Sequence, residues 1–596
     1  MKSETIAKLF QERVRLSGDR LALKTKVDGR WSEITWNDYT EKVRCFALGL
    51  TSLGLQPGDV VSILGNNLPE WLYADIATMS LGAVTVPIYQ TNTAEQVKYI
   101  LDDSGAKFAV VQNKLQLDKV LANLGDLPAL KGIIVIEMQN VERGDVVISF
   151  EDVLALGREY ARGNSAVFEE RMEAVTPDTL ATIIYTSGTT GPPKGTMLTH
   201  ANLIAHARGQ SQLFAQREDD ITVSFLPLAH VGERMLGHIN RIYTGNAAAL
   251  AESIEKLLEN LQEIKPTYWG SVPRPYEKIY TRILSQVESS PPLRKALFKW
   301  ALNVGMQANP YREKKKPLPL WLKLRYQLAD ALVYKKIRAL FGGRCRFFVV
   351  GAAPISFEIE RFFQALSINM LPLYGMTEAT GIITTNTETH LKMGTVGKAL
   401  PGVELKLAED GELLARGSST CIGYFKKPQD TEALLADGWL HTGDIATIDD
   451  EGFVKIVDRK KDILVTSGGK NVAPQNIENL FKASPYISQV MVYGDRKNYL
   501  TALFTLNEAE ITTYAREKGI EQRDFAELTR HPEIVNLVQS IVDEKNQHLA
   551  RFETIKKFVI LPHDLSQAAN EITPTMKVKR KVVTGKYGHL LDRLYQ

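Results

Sequence analysis

The sequence predicts an α/β protein with a large N-terminal domain of parallel-sheet α/β layers, a β-rich subdomain at its end, and a smaller α+β C-terminal domain. Three observations carry this. The length, 596 residues, exceeds what one hydrophobic core sustains and divides into two or more domains. From about residue 40 to 250, short apolar runs alternate with segments of helical period, as βα units do. Near residue 400 the texture changes to short alternating segments joined by turn residues, which mark antiparallel hairpins.

In chain order, strands are expected at DVVSILG (59–65), AVTVPIY (83–89), AKFAVVQ (106–112), KGIIVIE (131–137) and LATIIYTSG (180–188), because continuous apolar runs of this length suit strands covered on both faces. CRFFVVG (345–351) and NMLPLYG (369–375) add two more, with helix EIERFFQAL (358–366) between them. Glu409-Asp410-Gly411 and Asp450-Glu451-Gly452 read as hairpin turns in a β-rich subdomain over about 395–460. After Asp458-Arg459-Lys460-Lys461-Asp462 the pattern returns to α+β, with QVMVYGD and LTALFTL as strands and 524–550 as helix. The domains are therefore set at 1–460 and 461–596, with the boundary at Lys461.

A composition of 44% hydrophobic and 24% charged residues is that of an ordinary water-soluble globular chain. The net charge of +3 is too small to attract nucleic acid over the whole surface, which excludes it as the main partner. Cys45, Cys345 and Cys421 are far apart, support neither a disulfide framework nor a zinc site, and fit a reducing cytoplasm. The charged N-terminus lacks the apolar centre of a signal peptide, and no apolar run approaches the roughly 18 residues needed to span a bilayer. Neither secretion by a cleaved signal nor membrane insertion is expected.

The most informative stretch is Tyr185-Thr-Ser-Gly-Thr-Thr-Gly-Pro-Pro-Lys194-Gly195, after an apolar strand and before a helix opened by Thr199. Glycines free the backbone to wrap an anion, the hydroxyls of Thr186, Ser187, Thr189 and Thr190 donate to phosphate oxygens, and Lys194 adds a mobile positive charge. The combination suits a triphosphate. It is not a P-loop, because Pro193 stands where a glycine should precede the lysine, so a P-loop kinase or ATPase is disfavoured.

This loop is followed in order by Gly351-Ala352-Ala353-Pro354, Tyr374-Gly375-Met376-Thr377-Glu378-Ala379, a Gly438-to-Asp444 segment GWLHTGD, and Asp458-Arg459-Lys460-Lys461. The set resembles the AMP-forming adenylating superfamily of acyl-CoA synthetases, luciferases and peptide-synthetase adenylation domains. Five ordered motifs carry the resemblance, which runs from about residue 20 to the C-terminus. Within the superfamily, LPLAHVGER (226–234), the region around YWGSVPRPYEKIY and the ending ITPTMKVKRK (572–581) are most similar to long-chain fatty acyl-CoA synthetases, and Tyr374–Gly381 to the bubblegum-type branch.

The resemblance implies ATP-dependent activation of a fatty acid: an acyl-adenylate forms first, and the thiol of CoA then displaces AMP. It implies a role for each motif. Thr186, Ser187, Gly188, Thr189, Thr190, Gly191 and Lys194 would hold the β and γ phosphates, and Glu378, with Thr186, would ligate Mg²⁺. Thr377 would touch the α-phosphate. Gly351, Ala352, Ala353 and Pro354 would flank the adenine together with Tyr374, Gly375 and Met376, while Asp444 and Arg459 would bind the ribose. Lys461 would be the hinge, Gly468 and Gly469 would line the CoA path, and Lys577 would reach the α-phosphate during adenylation. His230 would stand at the carboxylate end of the acyl site, which Trp269, Gly270 and Val272 would border.

Two other readings stay open: a fatty acyl-AMP ligase that loads a carrier-protein thiol, and a non-catalytic nucleotide-binding protein. Against the second, Lys194, Glu378 and Lys577 are all present. Finally, residues 294–338 hold twelve Lys or Arg against two acidic residues, Glu313 and Asp330, interleaved with Trp300, Leu318, Leu320, Trp321 and Leu322. Peripheral docking on an anionic membrane is expected from this segment.

Overall fold

The computed structural model describes residues 3–186, 192–521, 524–573 and 576–596. Its largest sheet has eight strands. In spatial order they are Gly423–Tyr424, Lys194–Thr199, Leu180–Thr186, Val84–Ile88, Val60–Leu64, Ala106–Val111, Gly132–Val135 and Val147–Ser149. The six from Leu180–Thr186 onward run parallel, and Lys194–Thr199 turns back antiparallel against Leu180–Thr186. Every residue of Val60–Leu64 and Val84–Ile88 is buried, which is why these strands are unbroken apolar runs. Each strand expected from the sequence in this region is present.

A second sheet orders Tyr268–Ser271, Phe347–Val350, Met370–Met376, Gly381–Thr385 and Lys398–Ala399, the first three parallel. Its two faces do different work. Trp269 and Phe348 point into a helical layer built from residues 273–341, whereas Tyr268, Phe347 and Val349 face an internal cavity. A third sheet pairs Ile221–Ser224 and Ala247–Leu250 with the N-terminal strands Leu21–Val27 and Arg30–Thr35. The β-rich part is an antiparallel sheet of Val403–Leu407, Glu412–Gly417, Leu440–Ile448 and Val454–Arg459, with hairpins at the two turns expected from the sequence.

Beyond Lys461, a short hairpin (Leu464–Val465 with Asn471–Val472) leads to a three-stranded sheet of Ile487–Tyr493, Leu500–Leu506 and Ile555–Ile560. Helices pack on this sheet around a core of its own. The expected helix over 524–550 divides into Phe525–Leu528 and Pro532–Asn546, because Pro532 cannot continue a helix hydrogen-bond ladder and instead opens a new one. This part meets the rest through polar contacts. Arg274 donates to Ser488 O and Oγ (3.1 and 2.7 Å), Ser285 donates to Glu510 (2.8 Å), and Lys545 lies 3.6 Å from Glu358.

One buried ion pair bears directly on the site. Asp75, on the fully packed helix Pro69–Ser80, accepts from Arg234 Nε at 3.0 Å and lies 3.5 Å from His238 Nε2. Burial opposes ionisation of Asp75, but the Arg234 guanidinium and His238 outweigh it and keep the carboxyl below its usual range. The pair pins the π-helical segment Glu233–Ile239 to the large sheet. The preceding residues, His230 to Gly232, are thereby held in the cavity wall.

Candidate active site

The sequence motifs converge outside the carboxyl ends of the parallel strands, where open α/β sheets bind their ligands. Strand Phe347–Val350 ends at Gly351, whose close neighbour is Leu373; a Cβ there would stand 2.3 Å from Leu373 Cδ1. Ala352 follows with φ +65°. On the next strand Gly375 is obligatory, since a Cβ would meet Gly381 O at 1.8 Å. These two glycines let Leu373 and Gly381 pack directly against the backbone of Gly351 and Gly375.

Tyr374 Oη donates to Asp444 Oδ2. Asp444 and Arg459 are register partners on adjacent strands, and Arg459 Nε lies 3.4 Å from Asp444 Oδ1. Asp444 is buried, which raises its pKa, while Arg459 and the Tyr374 hydroxyl oppose the rise. An aromatic ring, a carboxylate and a guanidinium therefore share one wall, a set able to stack on a base and bond a diol.

Glu378 follows in a single turn of 3₁₀ helix, buried, and accepts from Tyr424 Oη at 2.7 Å. Lys194 is the register partner of Thr186 at the mouth of the hairpin; its ammonium bonds Asp430 at 2.5 Å and sits 5.2 Å above the Tyr424 ring. Thr186, Lys194, Tyr424, Asp430 and Glu378 thus form one polar cluster. The expected phosphate ligands Ser187, Gly188, Thr189, Thr190 and Gly191 lie outside the described residues. The described chain resumes before a strand, Lys194–Thr199, antiparallel to Leu180–Thr186, and Thr199 caps the following helix, which begins at His200. Among the described residues no three His, Cys, Asp or Glu side chains group as a metal cage. A single buried carboxylate suits a hard cation that arrives on phosphate oxygens.

From this nucleotide side an apolar pocket, partly open to solvent, runs between the second sheet and the segment 210–237. Gly351, Ala352, Gly375 and Met376 are at one part of its wall; Phe214, Leu236, Tyr268 and Phe347 form much of the rest. Gly270 and Val272 line it. Trp269 does not: strand alternation turns it to the opposite face, fully buried against Tyr276 and Phe341.

His230 is also in the cavity wall, its Nδ1 accepting from Gly232 N at 3.0 Å. Burial, reinforced by the positive Lys577, lowers its pKa to about 4. The ring is therefore neutral near pH 7, with its hydrogen on Nε2. Lys577 sits on a tight loop, with Thr573 N donating to its carbonyl and its own N–H donating to Thr573 Oγ1 at 3.0 Å. It keeps solvent access, yet protein crowds its ammonium in the cleft. That crowding, followed by Arg459, lowers its pKa to about 8, with Asp444 pulling the other way. The C-terminal lysine and the Asp444–Arg459 pair accordingly belong to one electrostatic unit.

Two expected residue sets are not brought there. Gly468 and Gly469 lie on an exposed hairpin tip whose neighbour Ser467 bonds Lys497 and Asn498. Lys461 is exposed in the turn between the β-rich sheet and that hairpin. Sequence reasoning missed Tyr424, Asp430 and Glu233. The last lines the cavity, accepts from Ser224 Oγ at 2.6 Å, and is pushed up to about pKa 7 by burial despite that bond. The acidic residue inside the apolar run LPLAHVGER was the available signal.

This arrangement is that of a nucleotide-binding enzyme with an apolar second site, and comparison with known proteins gives the family. A family model described as AMP-binding enzyme matches residues 10–425, and one described as AMP-binding enzyme C-terminal domain matches 461–596. The chain belongs to the AMP-binding enzyme family. It is 35% identical over 595 residues to the long-chain-fatty-acid–CoA ligase FadD15 of Mycobacterium bovis, covering 99% of this chain and 97% of that one. It is 34% identical to the long-chain-fatty-acid–CoA ligase ACSBG2 of Gallus gallus, covering 99% and 81%. In fold it is similar to the adenylation domain of the carboxylate reductase of Mycobacterium chelonae, with a TM-score of 0.78, 22% identity, and coverage of 99% and 91%.

Proposed function

We propose that the protein is an AMP-forming long-chain fatty acid–CoA ligase acting in the cytoplasm, converting fatty acid, ATP and CoA to acyl-CoA, AMP and pyrophosphate. One observation carries the reading: the apolar pocket that shares Gly351, Ala352, Gly375 and Met376 with the nucleotide wall. An alkyl chain lying there would present its carboxylate beside the nucleotide. The names of the relatives at 34–35% identity support the same substrate class.

In the first step a carboxylate oxygen bonds the α-phosphorus and pyrophosphate leaves with the bonding electron pair. Lys577 stabilises charge at the phosphorus, Thr377 orients the phosphate, and the neutral His230 donates from Nε2 to the acyl oxygen. Tyr374 and Gly351–Pro354 hold the adenine, Asp444 and Arg459 the ribose, and Lys194 with the hydroxyl loop the leaving phosphates. Mg²⁺, held by Glu378 beside Thr186, would neutralise phosphate charge. In the second step the CoA sulfur bonds the acyl carbon and AMP departs. A turn of the C-terminal domain (461–596) about Lys461 relative to residues 1–460 would exchange Lys577 for the Gly468–Gly469 tip.

The test is AMP release by the purified protein with ATP, CoA and carboxylic acids of graded length. Turnover that rises toward long chains and yields thioester supports the proposal. Adenylate without thioester would favour the carrier-loading reading, and no turnover with any acid would refute catalysis.

A further inference from the structure

Among the described residues no helix is long and apolar enough to cross a membrane. One helix nevertheless shows an apolar stripe to solvent. Leu320–Ala329, continued through the π-helical turn Asp330–Tyr334, has two apolar faces. The inner one buries Leu322, Ala329, Val333 and Tyr334 in the helical layer over the second sheet. The outer one exposes Trp321 (54%), Leu324 (59%), Leu328 (53%) and Leu332 (39%), with Leu320 (73%) at its start. Steps of three and four residues put these side chains in one line, turned away from the buried set. Of sixteen exposed large apolar side chains among the described residues, five stand on these thirteen positions, so the stripe is a patch and not scatter.

The rim of the patch is basic. Lys314, Lys315 and Lys316 are exposed in the turn before the helix, Lys323 and Arg325 flank the stripe, and Lys335 and Lys336 are exposed after it. Arg325 also lies over the Trp321 ring at 5.9 Å. The one acid of the helix, Asp330, is already paired with Arg338 at 2.5 Å. Nothing negative competes for the rim from the helix itself.

We infer that this face docks the protein reversibly on an anionic lipid surface, with the leucine stripe and Trp321 in the headgroup–acyl boundary and the lysines reaching lipid phosphates. Charge selects the occupant. A second copy placed face to face would set two strongly positive rims against each other, and a nucleic acid would take the charge but leave the stripe in water. A bilayer with acidic headgroups satisfies both at once. Long lysine stems cover apolar surface while their ammonium groups reach outward, which matches this rim. The docked helix lies on the side of the second sheet where Trp269 and Phe348 point, opposite the cavity, so docking leaves the nucleotide and acyl sites open.

The experiment is sedimentation of the full chain with phosphatidylcholine vesicles, and with vesicles also containing phosphatidylglycerol, at low and high salt. The wild type is expected to pellet at least about tenfold more with the anionic vesicles at low salt, and to be released by high salt. Trp321→Ser/Leu324→Ser/Leu328→Ser and, separately, Lys314→Gln/Lys315→Gln/Lys316→Gln should each reduce that binding while leaving turnover of a water-soluble acid unchanged. The inference is overturned by equal pelleting with both vesicles, or by anionic binding that the apolar triple variant leaves intact. A dimer in sedimentation velocity that the same apolar variant dissociates would assign the face to self-association and overturn it too.

Discussion

Lys577 is the residue on which the electrostatics of the site concentrate. Its pKa near 8, set by crowding in the cleft and by Arg459, leaves it mostly charged at pH 7 and neutral above about pH 9. The kcat/KM for acyl-adenylate formation, which reports the free enzyme, is therefore expected to fall as pH rises through about 8. Lys577→Arg should move that limb upward by two pH units or more, because a guanidinium stays charged. A wild-type profile flat to about pH 10 would remove Lys577 from the transition state. At this scale the sequence is legible where a motif is contiguous: Tyr374 and Asp444, named from separate motifs, are hydrogen-bonded to each other. Tyr424 and Asp430 were not legible, since their meaning arises from partners 46 and 236 residues away.

At the scale of elements, helix Phe357–Ala365 carries a buried acid with a measurable consequence. Glu360 is 2% exposed, one oxygen accepts from Gly394 N at 2.9 Å, and the other has no partner. Burial pushes its pKa up to about 8, with the nearby Glu313 adding to the rise. The folded state thus holds a proton that the unfolded chain releases near pH 4.5, so stability is lost as pH climbs from about 4.5 to 8. Glu360→Gln should melt like the wild type near pH 5 and be more stable by on the order of 2–4 kcal/mol at pH 8. Equal melting temperatures at both pH values would show that Glu360 stays neutral or hydrated throughout. The strands of the central sheet were legible because burial on both faces leaves an unbroken apolar run. Lys194–Thr199 was not, because KGTMLT follows the loop residues without an apolar run, and the pairing of Leu21–Val27 with Ala247–Leu250 was not, because those strands are distant in the chain.

For the whole molecule, polar contacts help seat residues beyond 461: Arg274 on Ser488, Ser285 on Glu510, Gln475 on Asp458, and Lys545 near Glu358. Such an interface can open without exposing a hydrophobic core. On the proposed function, Lys577 beside Asp444 and Arg459, with Gly468–Gly469 exposed, would serve the first half-reaction. Lys577→Ala should slow adenylate formation by about 10²-fold or more yet still convert supplied acyl-adenylate to thioester. Lys461→Pro, by fixing φ at the turn, should do the reverse. Assay of each half-reaction alone checks both, and equal loss in both steps for Lys577→Ala would make the lysine structural. The proposed alternation rests on family resemblance, because no residue pattern encodes a rotation. The Lys194–Asp430 pair has a further effect, on how the reaction ends. On the proposed function, Asp430 would compete with phosphate for Lys194, and its return to the lysine after cleavage would favour release of pyrophosphate. Removing it by Asp430→Asn should make pyrophosphate a stronger product inhibitor, lowering its inhibition constant by about tenfold while the first turnover stays fast. An unchanged constant would mean that the aspartate merely parks the lysine.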